Sequence, residues 1–290
     1  MRFTFADSMI DPSFYLPLAR AAEEAGFAAF SVPDNIGYTE ASDATYPYTR
    51  DGDRSFLHEK PFLEPFSLIP AMAAVTTTLR FTTFVLKLPI RLPHLVAKSA
   101  TSVAVLSGNR FAMGVGSSPW PEDYALCGQP WERRGERMDE MIEIVRGLAT
   151  GEYFEYHGAF YDLPKVKMRP VPTRPIPIFI GGHAEAALRR AARVGDGWMH
   201  GGGSRGELAQ LLTRLGELRR EHGRAHLPFE IHVISRDVFT VDGVRRLEDL
   251  GVTDVVVGFR NVYQREQDGE TLADKIGALR RYADDVIAKV

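Results

Sequence analysis

Two stretches of this chain place glycines where a strand candidate gives way to a helix. The first reads Ile176-Pro177-Ile178-Phe179-Ile180-Gly181-Gly182-His183 and enters a helical pattern at Ala184. The second reads Gly197-Trp198-Met199-His200-Gly201-Gly202-Gly203-Ser204 and enters a long amphipathic stretch. Glycine has no Cβ, so a ligand can approach its backbone closely. A helix N-terminus presents free N–H groups and the positive end of the helix dipole. Together these features bind anions, phosphate above all. Two such turns in succession point to one phosphorylated ligand held between neighbouring loops. The plainer alternative is that the glycines only shorten strand–helix turns.

The remaining bulk properties narrow the class. A chain of 290 residues fits one large α/β barrel or two small domains. A net charge of −3 gives no nucleic-acid signal. No apolar run approaches the roughly 20 residues of a membrane helix. The N-terminal Met1-Arg2-Phe3-Thr4-Phe5 reads as a strand rather than a signal peptide. A single cysteine, Cys127, excludes an intrachain disulfide and fits a reducing, cytoplasmic setting. Its neighbours Leu126 and Gly128 offer no base, so it reads as a small buried structural residue. The expected partner is a small-molecule substrate, with no nucleic acid and no membrane.

The elements that must position the glycine turns alternate along the chain. Strands are expected at residues 2–6, 28–33, 79–86, 110–116, 176–180, 197–200, 229–233 and 254–259. Helices are expected at residues 13–25, 64–76, 95–107, 131–149, 204–222 and 272–287, with another opening at Ala184. In the first helix Leu16, Leu18, Ala19, Ala22 and Ala25 form the inward stripe, and Gly26 stops it. In the helix over 131–149 Met138, Met141, Ile142, Val145 and Leu148 face inward. Its Glu136, Glu140, Glu143, Arg133, Arg134 and Arg137 read as a solvated, ion-paired face.

Two segments break the alternation. Residues 34–60 form a polar loop holding Tyr38, Tyr46, Pro47, Tyr48, Arg50, Arg54, Phe56 and Lys60. A loop of that length is usually functional, and its aromatics suffice to close over a pocket. Residues 153–163 read as a β-hairpin inserted before the fifth strand. Eight strand–helix units at even spacing predict a single (β/α)8 TIM barrel over residues 1–290. A doubly wound sheet would carry a glycine fingerprint after the first strand, whereas Asp7-Ser8-Met9-Ile10-Asp11-Pro12 stands there.

Barrel active sites lie at the C-terminal ends of the strands. The candidates are therefore Asp7, Asp34, Asn35, Phe84, Val85, Lys87, Ser117, Ser118, Gly181, Gly182, His183, His200, Gly201, Gly202, Gly203, Ser204, Arg236 and Arg260. Glu122 follows closely in the loop after the fourth strand. Barrel metal hydrolases also place histidines after strands five and six, but they need a His-x-His on strand one. Here strand one is Phe3-Thr4-Phe5, and strand eight carries Asp254 at its far end. No metal centre is expected.

Several motifs in order resemble those of the bacterial luciferase-like monooxygenase superfamily. Asn109-Arg110-Phe111-Ala112-Met113-Gly114-Val115-Gly116 is similar to its Gly-Arg-(apolar)-x-(apolar)-Gly-Val-Gly stretch. Glu122-Asp123-Tyr124, Gly128, Arg134, Arg137 and Glu140 continue the likeness. Arg174-Pro175-Ile176-Pro177-Ile178, Ala191-Ala192-Arg193 with Asp196-Gly197-Trp198, and residues 86–93 complete it over nearly the whole chain. Ser31-Val32-Pro33-Asp34-Asn35 and the strand Thr82 to Lys87 look most like the deazaflavin branch, particularly its actinobacterial members.

That resemblance implies hydride transfer between coenzyme F420 and an organic substrate, with the cofactor carrying the chemistry. It implies a bulged third strand with a non-proline cis peptide, here Phe84–Val85, against the cofactor ring. It places Ser117 and Ser118 at the cofactor's ribityl or phosphate groups. Asp34, Asn35 and Glu122 become the catalytic candidates. Relatives carry a histidine where Asn35 stands, and asparagine can hydrogen-bond but not act as acid or base near neutral pH. The runner-up cofactor is FMN, in a luciferase-like monooxygenase. A non-catalytic flavin- or deazaflavin-binding protein is the reading from another class. Related barrels dimerise through early helices, so a homodimer is expected.

Overall fold

A computed structural model describes residues 1–46, 49 and 51–290. Pro47, Tyr48 and Arg50, assigned above to the loop, lie outside the described residues. The strands are β1 (Arg2–Phe5), β2 (Ala29–Val32), β3 (Arg80–Thr83), β4 (Leu86–Lys87), β5 (Phe111–Gly116), β6 (Phe154–His157), β7 (Asp162–Val166), β8 (Ile178–Gly181), β9 (Gly197–His200), β10 (Glu230–Val233) and β11 (Asp254–Val257). The α-helices are α1 (Tyr15–Glu24), α2 (Pro65–Ala73), α3 (Pro93–Leu106), α4 (Pro121–Leu126), α5 (Arg134–Ala149), α6 (Glu185–Val194), α7 (Arg205–Glu221), α8 (Val241–Asp249) and α9 (Leu272–Asp285).

The sheet runs β3-β2-β1-β11-β10-β9-β8-β5-β4, all parallel, and β3 also pairs with β5. That last pairing, Phe81 opposite Phe111, closes the sheet into a (β/α)8 barrel. β3 and β4 are two parts of one barrel strand, interrupted at Phe84–Val85, where the peptide bond is cis. β6 and β7 form the antiparallel hairpin expected before the fifth barrel strand, extended on its second arm to Val166.

Both faces of each barrel strand are buried, one by the interior and one by helices, so the strands read as apolar runs. Phe5, Phe30, Phe81, Met113, Ile180, Trp198, Val233, Val255 and Val257 are all nearly inaccessible. Local signals agree with the ends of the helices. Glu64 accepts the Ser67 N–H at 2.8 Å ahead of Pro65, and Thr271 with Asp274 forms a reciprocal capping box on α9. No helix among the described residues is long and apolar enough to cross a membrane.

Three expectations are corrected. Leu16 is exposed, and Tyr15 takes the inward place, giving the stripe Tyr15, Leu18, Ala19 and Ala22 at helical spacing. Arg137 is buried at 2% exposure rather than solvated. Its guanidinium donates to the carbonyls of Pro130, Glu132 and Pro89, fastening α5 to the loops before it. Cys127 is half-buried at the C-terminus of α4 rather than in the core.

Candidate functional site

At the C-terminal end of the barrel the interrupted third strand is wedged between two glycines. A Cβ on Gly116 would stand 2.7 Å from Val85 Cγ2, and one on Gly181 would stand 2.8 Å from Val85 Cγ1. The missing Cβ atoms of Gly116, on the neighbouring β5, and of Gly181, on β8 one strand further, let Val85 sit there. Phe84 and Val85 also pack on Ala112, Phe179 and Met199, a small apolar cluster separate from the main core.

Below the wedge, Asp34 is fully engaged. One oxygen accepts the Lys87 backbone N–H at 2.8 Å, and the Arg91 guanidinium donates to the carboxylate at 2.8 Å. Its side chain is 1% exposed. This geometry makes Asp34 the anchor of the strand after the bulge. Lys87 then reaches across: its Nζ donates to Asn35 Oδ1 at 2.9 Å and pairs with Asp123 at 2.7 Å. Ser118, in the left-handed region at φ 56°, donates its hydroxyl to Asp123 at 2.6 Å and accepts the Trp120 N–H at 3.1 Å. Ser118 is thus spent on holding its own loop. The Ser117 carbonyl accepts from the Tyr124 hydroxyl.

Asn35, Tyr38, Thr39, Arg54, Leu57, Trp120, Glu122 and Asp123 line one narrow cleft. Because Asn35 Oδ1 is held by Lys87, the amide N–H2 is its remaining polar end. Glu122 Oε2 is buried there and has no hydrogen-bond partner among the described residues. A buried acceptor left open in this way is costly unless a ligand donor meets it. Aromatic rings close the mouth above. Tyr46 stacks on Trp120 with centroids 5.5 Å apart, and Tyr263 meets Phe56 edge-on at 5.2 Å. Arg265 pairs with Asp53 at 3.0 Å, and Lys60 donates to the Glu266 carbonyl. Arg54, for its part, donates to the Thr39 carbonyl at 2.7 Å.

The two glycine turns come together as neighbours, since β8 pairs with β9. His183 and His200 stack with ring centroids 4.6 Å apart at 10°. The Gly201 N–H donates to His183 Nε2 at 3.0 Å, and the Gly202 N–H reaches His200 Nδ1 at 3.3 Å. Those two amides are therefore turned inward, unlike the outward cradle the sequence pattern suggests. Gly182, Gly202 and Gly203 have φ of 122°, 102° and 148°, a region that excludes ordinary side chains. Ser204 caps α7 by accepting the Glu207 N–H at 3.2 Å. His200 is 1% exposed, and its Nε2 has no hydrogen-bond partner among the described residues. That nitrogen points toward the glycines: a Cβ on Gly203 would stand 3.6 Å from it. Burial and then the neighbouring His183 push His200 down to about 4, and burial lowers His183 as well. Both rings are neutral near pH 7.

The other candidates serve the frame. Asp7 pairs with Lys275 at 2.9 Å, and Arg260 lies 3.6 Å from both Asp7 and Asp268. Arg236 starts the short turn of helix before α8. At the opposite end of the barrel Glu230, His232 and Asp254 bring potential metal-binding atoms within 4.8 Å of one another. Arg2 donates to Asp254 at 2.6 and 2.9 Å, and Arg80 to Glu230 at 3.0 Å. Two guanidinium groups already neutralise those carboxylates, so the cluster is an ion-paired plug. The residues that sequence reasoning passed over are Asp123, Arg91, Trp120 and Glu207. Lys87 was placed at a strand end but given no role, because its partners are 36 and more residues away in the chain.

The comparisons agree with this frame. An uncharacterized protein of Mycobacterium tuberculosis is 62% identical over 290 residues, covering the whole of both chains. An F420-dependent glucose-6-phosphate dehydrogenase of Nakamurella multipartita is 28% identical over 82% of this chain and 67% of its own. Among solved structures, monooxygenase RslO1 from Streptomyces bottropensis superposes with a TM-score of 0.77 at 17% identity, covering 99% of each chain. The coenzyme F420 dependent tetrahydromethanopterin reductase from Methanopyrus kandleri gives 0.74 at 15% identity, covering 99% of this chain and 98% of that one. The luciferase-like monooxygenase model matches residues 6–256, and the chain belongs to that family.

Proposed function

We propose that the protein is an F420-dependent oxidoreductase acting on a small or medium organic substrate. The observation that carries this reading is the pairing of two features at one barrel mouth. One is the Val85 wedge between Gly116 and Gly181; the other is the open, buried His200 Nε2 beneath a positive-φ glycine run. The first is a flat apolar seat beside the backbone. The second is a neutral nitrogen at the N-terminus of α7, where a phosphate is favoured. The names of the 28% identical relative and of the F420-dependent reductase with the same fold support F420 as the cofactor.

In this reading Phe84 and Val85 seat the ring. His200 Nε2 with Gly203 and Ser204 holds the phosphate, Gly181 and Gly182 lie beside it, the Gly201 and Gly202 N–H groups fix His183 and His200, and Ser117 borders the chain between ring and phosphate. The deazaflavin supplies a hydride acceptor or donor when bound. Asn35 donates its amide N–H2 to a substrate oxygen, and Glu122 Oε2 accepts from a substrate O–H or N–H. Lys87, held by Asp123, fixes the Asn35 side chain, and Asp34 and Ser118 position rather than touch substrate. The aromatic rings of Tyr46, Trp120 and Tyr263 exclude water.

The assembly proposed is a homodimer, supported by the exposure of Leu92, Leu95, Val105 and Leu106 on and beside α3. The test of function is a screen of reduced F420 oxidation and F420 reduction against alcohols, aldehydes, ketones and enones, with FMN in parallel. Turnover with FMN and oxygen, and none with F420, would establish the monooxygenase reading that the family description favours. Binding without turnover would establish the carrier reading, for which Asn35 in place of a histidine is the supporting residue.

A further inference from the structure

The glycine run that the proposed function assigns to a phosphate already has an anion leaning on it. Glu207 is the third residue of α7, and its side chain folds back over the helix start. Its Oε1 lies 3.4 Å from His183 Nδ1. Its Oε2 rests on Gly203, where a Cβ would stand 2.6 Å away. With His183 Nε2 accepting the Gly201 N–H at 3.0 Å, Nδ1 carries the proton and faces the carboxylate. The Glu207 side chain is 48% exposed, so it is free to swing outward into water.

Three facts make this more than a first-turn carboxylate favouring its own helix dipole. The nitrogen it faces belongs to a histidine stacked on His200. His200 Nε2 is buried, open, and directed at the same Gly203. The backbone beneath is glycine, at φ 102° and 148°, so no Cβ keeps the carboxylate off the main chain. The carboxylate thus stands where a phosphate oxygen would sit, and two anions cannot share that space without strong repulsion.

We propose that Glu207 is a displaceable gate: its carboxylate lies on the proposed anion site and must leave before a phosphate-bearing cofactor seats. The proposal rests on the phosphate reading of the glycine run. Glu207 therefore sets the affinity and the entry rate of the cofactor while taking no part in chemistry. It also selects for ligands whose phosphate binds strongly enough to displace it, and against weakly held anions.

The experiment is calorimetric titration of the full chain, wild type and the Glu207→Gln and Glu207→Ala variants. The probes are F420 and its phosphate-free chromophore, 8-hydroxy-5-deazariboflavin. Both variants should bind F420 at least tenfold more tightly than wild type, about 1.4 kcal/mol, and faster by stopped flow. Their affinity for the phosphate-free chromophore should be unchanged. If wild type gains from the phosphate and the variants match it, the gate is overturned while the glycine-run site stands. If the variants bind F420 more weakly, Glu207 orients His183 for the ligand and the gate is equally overturned. If the Glu207 variants bind both probes alike, the phosphate reading itself fails, and the gate with it.

Discussion

Gly181→Ala is the sharpest probe of how the sequence builds the mouth of this barrel. The added Cβ would meet Val85 Cγ1 at 2.8 Å, against roughly 3.5–4.0 Å for carbons at their optimum. Val85 must therefore move by about 1 Å. Toward β5 it has only the space left by the missing Cβ of Gly116, whose ideal position lies 2.7 Å from Val85 Cγ2. Overpacking of this kind costs about 1–3 kcal/mol, which for a chain of this size lowers Tm by about 2–6 °C. The same displacement moves the apolar seat proposed for the cofactor ring, so F420 affinity should fall at least tenfold, roughly 1.4 kcal/mol. Val85→Ala removes the clashing methyls. The double variant should regain both stability and binding relative to Gly181→Ala. The assay is a double-mutant cycle by thermal melting and F420 titration, with a coupling energy of at least about 1 kcal/mol expected. Additive effects in stability, or F420 affinity untouched by Gly181→Ala, would refute the wedge.

Other outcomes follow from the same geometry. Asn35→Ala should slow turnover at least tenfold while F420 affinity stays within about twofold. Asn35→Asp should be slower still with a carbonyl acceptor, since a carboxylate donates nothing and competes with Asp123 for Lys87; the split between kcat and Kd reads this. Asp34→Asn should cost about 3 kcal/mol in denaturant unfolding, because it leaves the Arg91 charge unpaired in a largely buried place. At the barrel's other end burial raises the Glu230 carboxyl, but His232, Arg80 and Arg2 more than offset this and bring it to about 2 from an ordinary 4.5. Its stabilisation is therefore present above the unfolded value and is lost as pH falls from about 4.5 toward 2. That contribution is about 2–3 kcal/mol after allowance for its partial exposure. Glu230→Gln should flatten the acid limb of the stability profile in that window, as read by urea midpoints across pH.

The barrel was legible because its signals are local. Valine runs such as 255–257, the helix stop at Gly26 and the Pro and Gly punctuation each act within a few residues. Two errors on helix faces have one physical cause. Tyr15 and Leu16 differ by one position and are both apolar enough to be buried, and only the packed barrel chooses Tyr15. Arg137 reads as solvated on charge, yet the carbonyls of Pro130 and Glu132 in the turn before α5, and of the distant Pro89, capture it. At the site, the positions of Asn35, Glu122, His183 and His200 at strand exits were visible from the order of elements. Their chemistry was not. That Asp34 is saturated by Arg91, that Lys87 binds both Asn35 and Asp123, and that Glu207 folds back onto Gly203 are long-range or rotameric facts. The cis bond at Phe84–Val85 was foreseen through family resemblance rather than from any property of the two residues.

The most direct measurement is an anaerobic titration of the purified protein with F420 and with FMN, each followed by the change in cofactor fluorescence. The account predicts saturable binding of F420 with one site per chain, and FMN weaker by at least tenfold. Tighter binding of FMN, or no saturable binding of F420, would contradict it.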